Sequence, residues 1–284
     1  MYCDTVLSQI DSGEKWLSLD TYPIMEDYSL LKNFLFDLAM LKTTAMEYDA
    51  HAHVALQSSA WTVGSNTDKS RMPTEAEMRM QAYSAMAFGM NSISWYTYTP
   101  SNVNSYDTFV DNDGNIVNEA AYNSFAKVNK EVAEVGKVYS AFDWKGIILG
   151  TGKDNGIGAL GFTVTTDNDY QAYALAENHL GAYKLSASNT KLLSSVSTNQ
   201  TDLNYLMGVM EDKSGNEGYV LCNYNSCKGT MDQTITITFN TDVTQAMIYQ
   251  GADNGWQTVN VSNRQLTISL ATGAGTFVLP SKLN

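Results

Sequence analysis

Cysteine is scarce in this chain: three occur among 284 residues, at positions 3, 222 and 227. An odd count argues against a disulfide framework. Cys222 and Cys227, in LCNYNSC, either bridge across a turn or stand as ordinary strand-end thiols. Histidine is as scarce, with His51, His53 and His179 only. No zinc-type spacing links them to the cysteines, so neither metal nor cofactor is expected. His51 and His53 alternate with Ala and Val and therefore share one strand face, which suits hydrogen-bonded structural histidines. Positive charge is also short: 17 Lys and Arg face 30 Asp and Glu, a formal net charge of −13. A phosphate backbone or an anionic lipid surface would be repelled, so neither nucleic acid nor a membrane is expected as a partner. No apolar run approaches the roughly 20 residues of a membrane span. No charged stretch followed by an apolar core opens the sequence in the manner of a signal peptide.

What the chain has is an apolar share of 44%, 17 Tyr and 5 Trp. Beside many Asn, Ser and Thr, such aromatics suit neutral polyhydroxylated ligands, and they serve equally as core. The first half alternates short apolar runs with helical periods. WLSLDTYPI (16–24), HAHVALQ (51–57) and SISWYTY (92–98) read as strands. Helices are expected over 28–49 and 118–139, where apolar residues recur at i, i+3 and i+4, and over 73–90, whose ends are marked. Thr74 and Glu77 form a capping box behind Pro73, and Gly89 marks the stop. Strand and helix in alternation predict βα units and a parallel sheet, its apolar strands covered on both faces.

From about residue 142 the period becomes two. Strands are expected at 145–150, 160–166, 170–178, 217–225, 234–239, 246–251 and 266–273. Turn signals at Asn155-Gly156, Asp169, Ser214-Gly215-Asn216 and Asp253-Asn254-Gly255 separate them. This pattern predicts an antiparallel sandwich. The reading is thus two domains, 1–141 and 142–284, of α/β and all-β class. DNDGN (111–115) mimics part of a calcium loop but would put Phe109 and Ala120 where carboxylates are required, so it reads as a tight turn.

Ligands of parallel sheets sit at the carboxyl ends of the strands. That rule nominates Asp20, Thr21 and Tyr22, then Gln57 and Trp61, then Trp95, Tyr96 and Tyr98. Aromatic faces and hydroxyl-binding polar groups are sugar-site chemistry, although Trp95 and Tyr96 read equally well as filling between sheet and helices.

LQSSAW followed by MPTEAEMRMQAYSAMAFGMNSISWYTY resembles the last units of a clan-A glycoside hydrolase barrel, closest to family-42-type β-galactosidases. The match runs through Pro73, Arg79, Tyr83, Ala85, Ala87 and Gly89, and the second half is similar to the β-sandwich domains that follow such barrels. The resemblance implies the last three βα units of a (β/α)8 TIM-type barrel followed by the sandwich. It implies retaining hydrolysis of β-linked oligo- or polysaccharides, and an extracellular or periplasmic setting. Trp61 and Trp95 would be sugar platforms, with Tyr22, Tyr96 and Tyr98 beside them as substrate-binding residues. Gln57 falls at the position of the nucleophilic glutamate, where an amide cannot attack. Asp20 is then the one local carboxylate. The acid/base Asn-Glu pair of the family has no match, since Asn118-Glu119 reads as a helix start. Three units cannot close an eight-unit barrel, so a longer polypeptide or a partner chain would supply the rest, or the units form an open sheet. A non-catalytic carbohydrate-binding or scaffolding protein is the alternative.

Overall fold

The structure is a computed structural model, and it describes residues 2–10, 13–26, 30, 33–61, 70–100, 106–150 and 179–281. After a first helix, α1 (Tyr2–Val6), come three βα units. They are β1 (Trp16–Asp20) with α2 (Phe34–Glu47), β2 (His51–Gln57) with α3 (Glu75–Ala87), and β4 (Ser92–Tyr96) with α4 (Glu119–Tyr139). The strands form a three-stranded parallel sheet in the order β1-β2-β4. A short ribbon, β3 (Ala60–Trp61) with β5 (Tyr106–Asp107), projects beyond β2 and β4. Helix α2 begins six residues later than its periodicity suggests, and Leu30 is instead bridged to Ile24. Helix α3 starts on the expected capping box: Thr74 Oγ1 accepts from Glu77 N, and Thr74 N donates to Glu77 Oε2.

Among the described residues the sheet is covered on one face only, contrary to the apolar look of its strands. Ala52, Val54 and Leu56 are buried against the helices, whereas Trp16, Ser18, Asp20, Ser94 and Tyr96 are exposed on the opposite face. The strands therefore alternate in burial. Connections of one hand place the helices on one side, and no described element covers the other.

The second half opens with β6 (Phe142–Gly150) and continues with β7 (Leu193–Thr198), β8 (Tyr205–Asp212), β9 (Glu217–Asn223) and β10 (Gln233–Phe239). It ends with β11 (Gln245–Tyr249), β12 (Trp256–Asn260), β13 (Gln265–Leu270) and β14 (Gly275–Ser281). A six-stranded sheet, β12-β11-β14-β9-β8-β6, faces a three-stranded one, β13-β10-β7. Met207, Val209, Tyr219, Leu221, Ile235, Ile237 and Ile268 fill the space between them. The other face of the large sheet offers Leu206, Met210, Val220, Cys222 and Phe277 to the helices, in one core with the parallel sheet. Expected strands coincide with β6, β9, β10, β11 and β13, while 160–166, 170–178 and the turns at Asn155 and Asp169 lie outside the described residues. Strand β8 was not expected: buried on both faces over Tyr205–Met210, its YLMGVM lacks the alternation that signals a half-buried strand. Strands β7, β12 and β14 are likewise additional.

Helix α3 lies between the parallel sheet and the six-stranded sheet and is buried almost all round, which is why its sequence shows so little amphipathicity. Two glycines permit this approach. A Cβ at Gly208 would stand 2.3 Å from Ala87 O, and one at Gly275 would stand 2.1 Å from the Tyr83 ring. The turn at 111–115 is tight, as its composition suggests: Asp111 Oδ1 accepts from the backbone of Asp113 and Asn115, with Gly114 at φ +86°. Asp212 closes the β8–β9 hairpin in the same way through Ser214 and Asn216. All three cysteines are free thiols, and Cys222 points at Ser84 of α3. No described helix is long and apolar enough to cross a membrane.

Candidate functional site

The carboxyl end of the parallel sheet carries Asp20, Gln57 and Tyr96 as the closing residues of its three strands. They do not play equivalent parts. Asp20 is exposed at the end of β1. Two residues on, Tyr22 lies against Tyr96 with ring centroids 5.4 Å apart and planes at 27°. Tyr96 is 39% exposed, and its backbone is fastened at the strand end. Ser58 N donates to Tyr96 O at 2.9 Å, and the Ser59 hydroxyl donates to the same oxygen at 3.2 Å. Asp20 and the stacked tyrosines thus share an open polar end.

Gln57 is fully buried instead. Its Oε1 accepts from Ile24 N at 2.8 Å. Its Nε2 meets the carbonyls of Ile24 (3.2 Å), Ser59 (3.2 Å) and Arg71 (3.1 Å). Gln81 of α3 completes the arrangement, accepting from Gln57 N and donating to Gln57 O. One amide side chain therefore ties together the loops that follow β1 and β2. An amide offers both the acceptor and the pair of N–H donors this needs.

The other nominated residues are dispersed. Trp95 faces the helical side, where Nε1 donates to Asn129 Oδ1 of α4 at 2.8 Å and the indole meets the Phe125 edge. It fills space between sheet and helix, one of the two readings its position allowed. Tyr98 is exposed, edge-on to Phe109. Trp61 contributes backbone pairing to Tyr106, and its side chain lies outside the described residues. Thr21 turns toward α2, where its hydroxyl donates to Asp37 Oδ2 at 2.8 Å. Burial holds the Asp37 carboxyl above the usual range, against the lowering effect of Thr21 and Asn33.

Sequence reasoning missed a row of groups across the open face. Ser18 Oγ lies 2.6 Å from His53 Nδ1, and His53 Nε2 lies 3.0 Å from Ser94 Oγ, spanning all three strands. Beside it, Trp16 packs on His51 at 4.8 Å. The alternation in HAHVALQ placed both histidines on one face. Their partners depend on cross-strand register, His53 between Ser18 and Ser92, which local pattern does not carry. Among the described residues no cluster of three or more His, Cys, Asp or Glu is arranged to hold a metal ion.

One further buried charge lies behind the sheet. Lys42 of α2 is 7% exposed, its ammonium 6.0 Å from the Trp144 ring centroid. Burial brings it down from 10.5 to about 8, opposed by the Asp143 charge. The folded state then gives up this proton more readily than the unfolded state. Stability attributable to the group rises as pH climbs from about 8 toward 10.5. Lys42→Met is expected to gain about 1–3 kcal/mol near pH 7 and little above pH 10. Urea melts at pH 7 and 10 measure this, and equal wild-type and variant slopes would contradict it.

No protein-family model matches the chain, and no curated protein matches its sequence. Among solved structures it is similar to a rhamnosidase from Novosphingobium sp. PP1Y, with a TM-score of 0.53 and 10% identity. That match covers 95% of this chain and 35% of the rhamnosidase, so the chain spans about a third of that protein's length. A β-galactosidase from Bacillus circulans sp. alkalophilus matches with a TM-score of 0.45 and 10% identity, over 93% of this chain and 60% of the other. The fold is glycoside-hydrolase-like, with antiparallel sheets following helix and strand units.

Proposed function

We propose that this chain is the glycan-binding part of a glycoside-hydrolase-like protein, nearest in pattern to family-42-type β-galactosidases, and that alone it holds β-linked glycans without cleaving them. The observation that carries this is the stacked Tyr22–Tyr96 pair beside the exposed Asp20 at the carboxyl end of a parallel sheet. Aromatic faces receive the C–H faces of pyranose rings, and a neighbouring carboxylate accepts from their hydroxyls. Hydrolysis with retention needs two carboxyl groups about 5–5.5 Å apart. The strand ends themselves bring one, Asp20, because Gln57 is an amide consumed by backbone groups.

A catalytic reading draws on a different feature. Strands β1 and β4 each have one unpaired edge among the described residues, and Trp16, Tyr96 and Tyr98 are exposed around them. Further parallel strands, from a longer polypeptide or a partner chain, would cover this face and could bring the missing carboxylates.

Calorimetric titration with β-linked oligosaccharides tests the main reading. Tyr96→Ala is expected to weaken binding about tenfold or more, the loss of one aromatic platform. Aryl β-glycosides should remain intact. Absence of all glycan binding would refute the proposal, as would turnover by the chain alone that Asp20→Asn abolishes.

A further inference from the structure

A cleft of about 870 Å³ lies far along the chain from the sheet end, between α3, α4 and one margin of the sandwich. Its size is that of a small-molecule site. One side is apolar, formed by Ile248, Val259 and Ile268 among others. The other is a chain of charges. Glu131 of α4, almost wholly buried, accepts from Arg79 Nε at 3.0 Å. Arg79 Nη2 donates to Glu75 at 2.8 Å. Glu75 in turn meets Lys127 at 3.1 Å, and Lys127 lies 4.0 Å from Asp253.

Tyr249 completes the site. The residue is only 3% exposed, yet it lines the cleft. Its ring rests edge-on against Trp256. Its hydroxyl donates to no described residue, in contrast to the neighbouring charged groups, which are all engaged. The cleft therefore presents an unpartnered hydroxyl together with Glu75 and Asp253, whose ion pairs leave carboxylate oxygens with room to accept.

We propose that this cleft binds a neutral polyhydroxylated ligand, a mono- or disaccharide unit, at a site separate from Asp20 and Tyr96. The charges argue against an anion. Three carboxylates outnumber two cations, and both cations already hold carboxylates, so an anion meets repulsion with no unengaged partner. A purely apolar ligand would strip water from Glu75 and Asp253 without replacing their hydrogen bonds. A sugar meets both walls: its C–H face lies on the aliphatic side, and its hydroxyls reach the carboxylates and Tyr249.

Amide shifts of the ¹⁵N-labelled chain, titrated with cellobiose and lactose and with spermidine and citrate as charged controls, test the site. Saccharide-dependent shifts are expected in Gln250–Asn254 and around Glu75 and Arg79. Tyr249→Phe, which removes one oxygen and keeps the ring, should weaken that binding about tenfold, and Tyr96→Ala should leave it unchanged. A response to spermidine or citrate in place of the sugars would overturn the proposal, as would unchanged binding in Tyr249→Phe or no response at the cleft. Shifts confined to Asp20, Tyr22 and Tyr96 would overturn it too while leaving the sheet-end reading intact. Shifts confined to the cleft would do the reverse.

Discussion

Gln57→Glu is expected to destabilise the protein by about 3–5 kcal/mol at neutral pH and to produce no hydrolysis. Nominally the change restores the nucleophile of a retaining glycosidase. Physically it sets a carboxylate against the carbonyls of Ile24, Ser59 and Arg71, where the amide now donates. Three acceptors lose their donor, and a negative charge enters a fully buried position. Burial would raise the new carboxyl's pKa in the folded state. The ionisation part of the penalty is then absent below about pH 4, where the group is protonated in both states, and grows as pH rises. Urea denaturation at pH 4 and pH 7 separates that part from the lost hydrogen bonds. A variant that folds like the wild type and cleaves aryl glycosides would show that Gln57 stands in a catalytic frame lacking only its charge.

Glu131→Ala should cost a similar amount, about 3–5 kcal/mol, because it leaves the half of a buried ion pair that cannot be neutralised. Glu131 is 1% exposed and Arg79 15%, and the pair joins α3 to α4. With Glu131 removed, Arg79 keeps only Glu75, itself shared with Lys127. The loss should persist in high salt, since a buried pair is screened little. The double variant Arg79→Met, Glu131→Leu should lose less than Glu131→Ala alone, because it leaves no buried charge without a partner. Chemical denaturation of the wild type and the two variants measures both losses. A cost below about 1 kcal/mol for Glu131→Ala would place this pair with surface ion pairs and contradict its role as a fastening.

Local pattern decided much of this protein. HAHVALQ and SISWYTY form strands over the expected cores, the capping box at Thr74 starts α3, and the DNDGN turn closes on Asp111. Each of these depends on residues within a few positions of one another. The change of period near residue 142 likewise marks where helices give way to antiparallel strands. Solvent exposure escaped the same reasoning. Strands β2 and β8 both look apolar, but β2 is open on one face and β8 is covered on both, because what lies across from a strand belongs to distant sequence.

The candidate site divides along the same line. Asp20 and Tyr96 lie at strand ends, and the parallel order alone nominates them. Their outcomes depended on neighbours. Tyr96 found Tyr22, Trp95 turned to Asn129, and Gln57 was absorbed by carbonyls from three segments. The Arg79–Glu131 pair joins residues 52 positions apart. Composition and period were enough to place the helices, the parallel strands, five strands of the second half and the turn at 111–115, since those follow from local backbone geometry. Which groups stayed available for chemistry was decided by packing, because a hydrogen-bonding group is claimed by whatever the fold brings within about 3 Å of it.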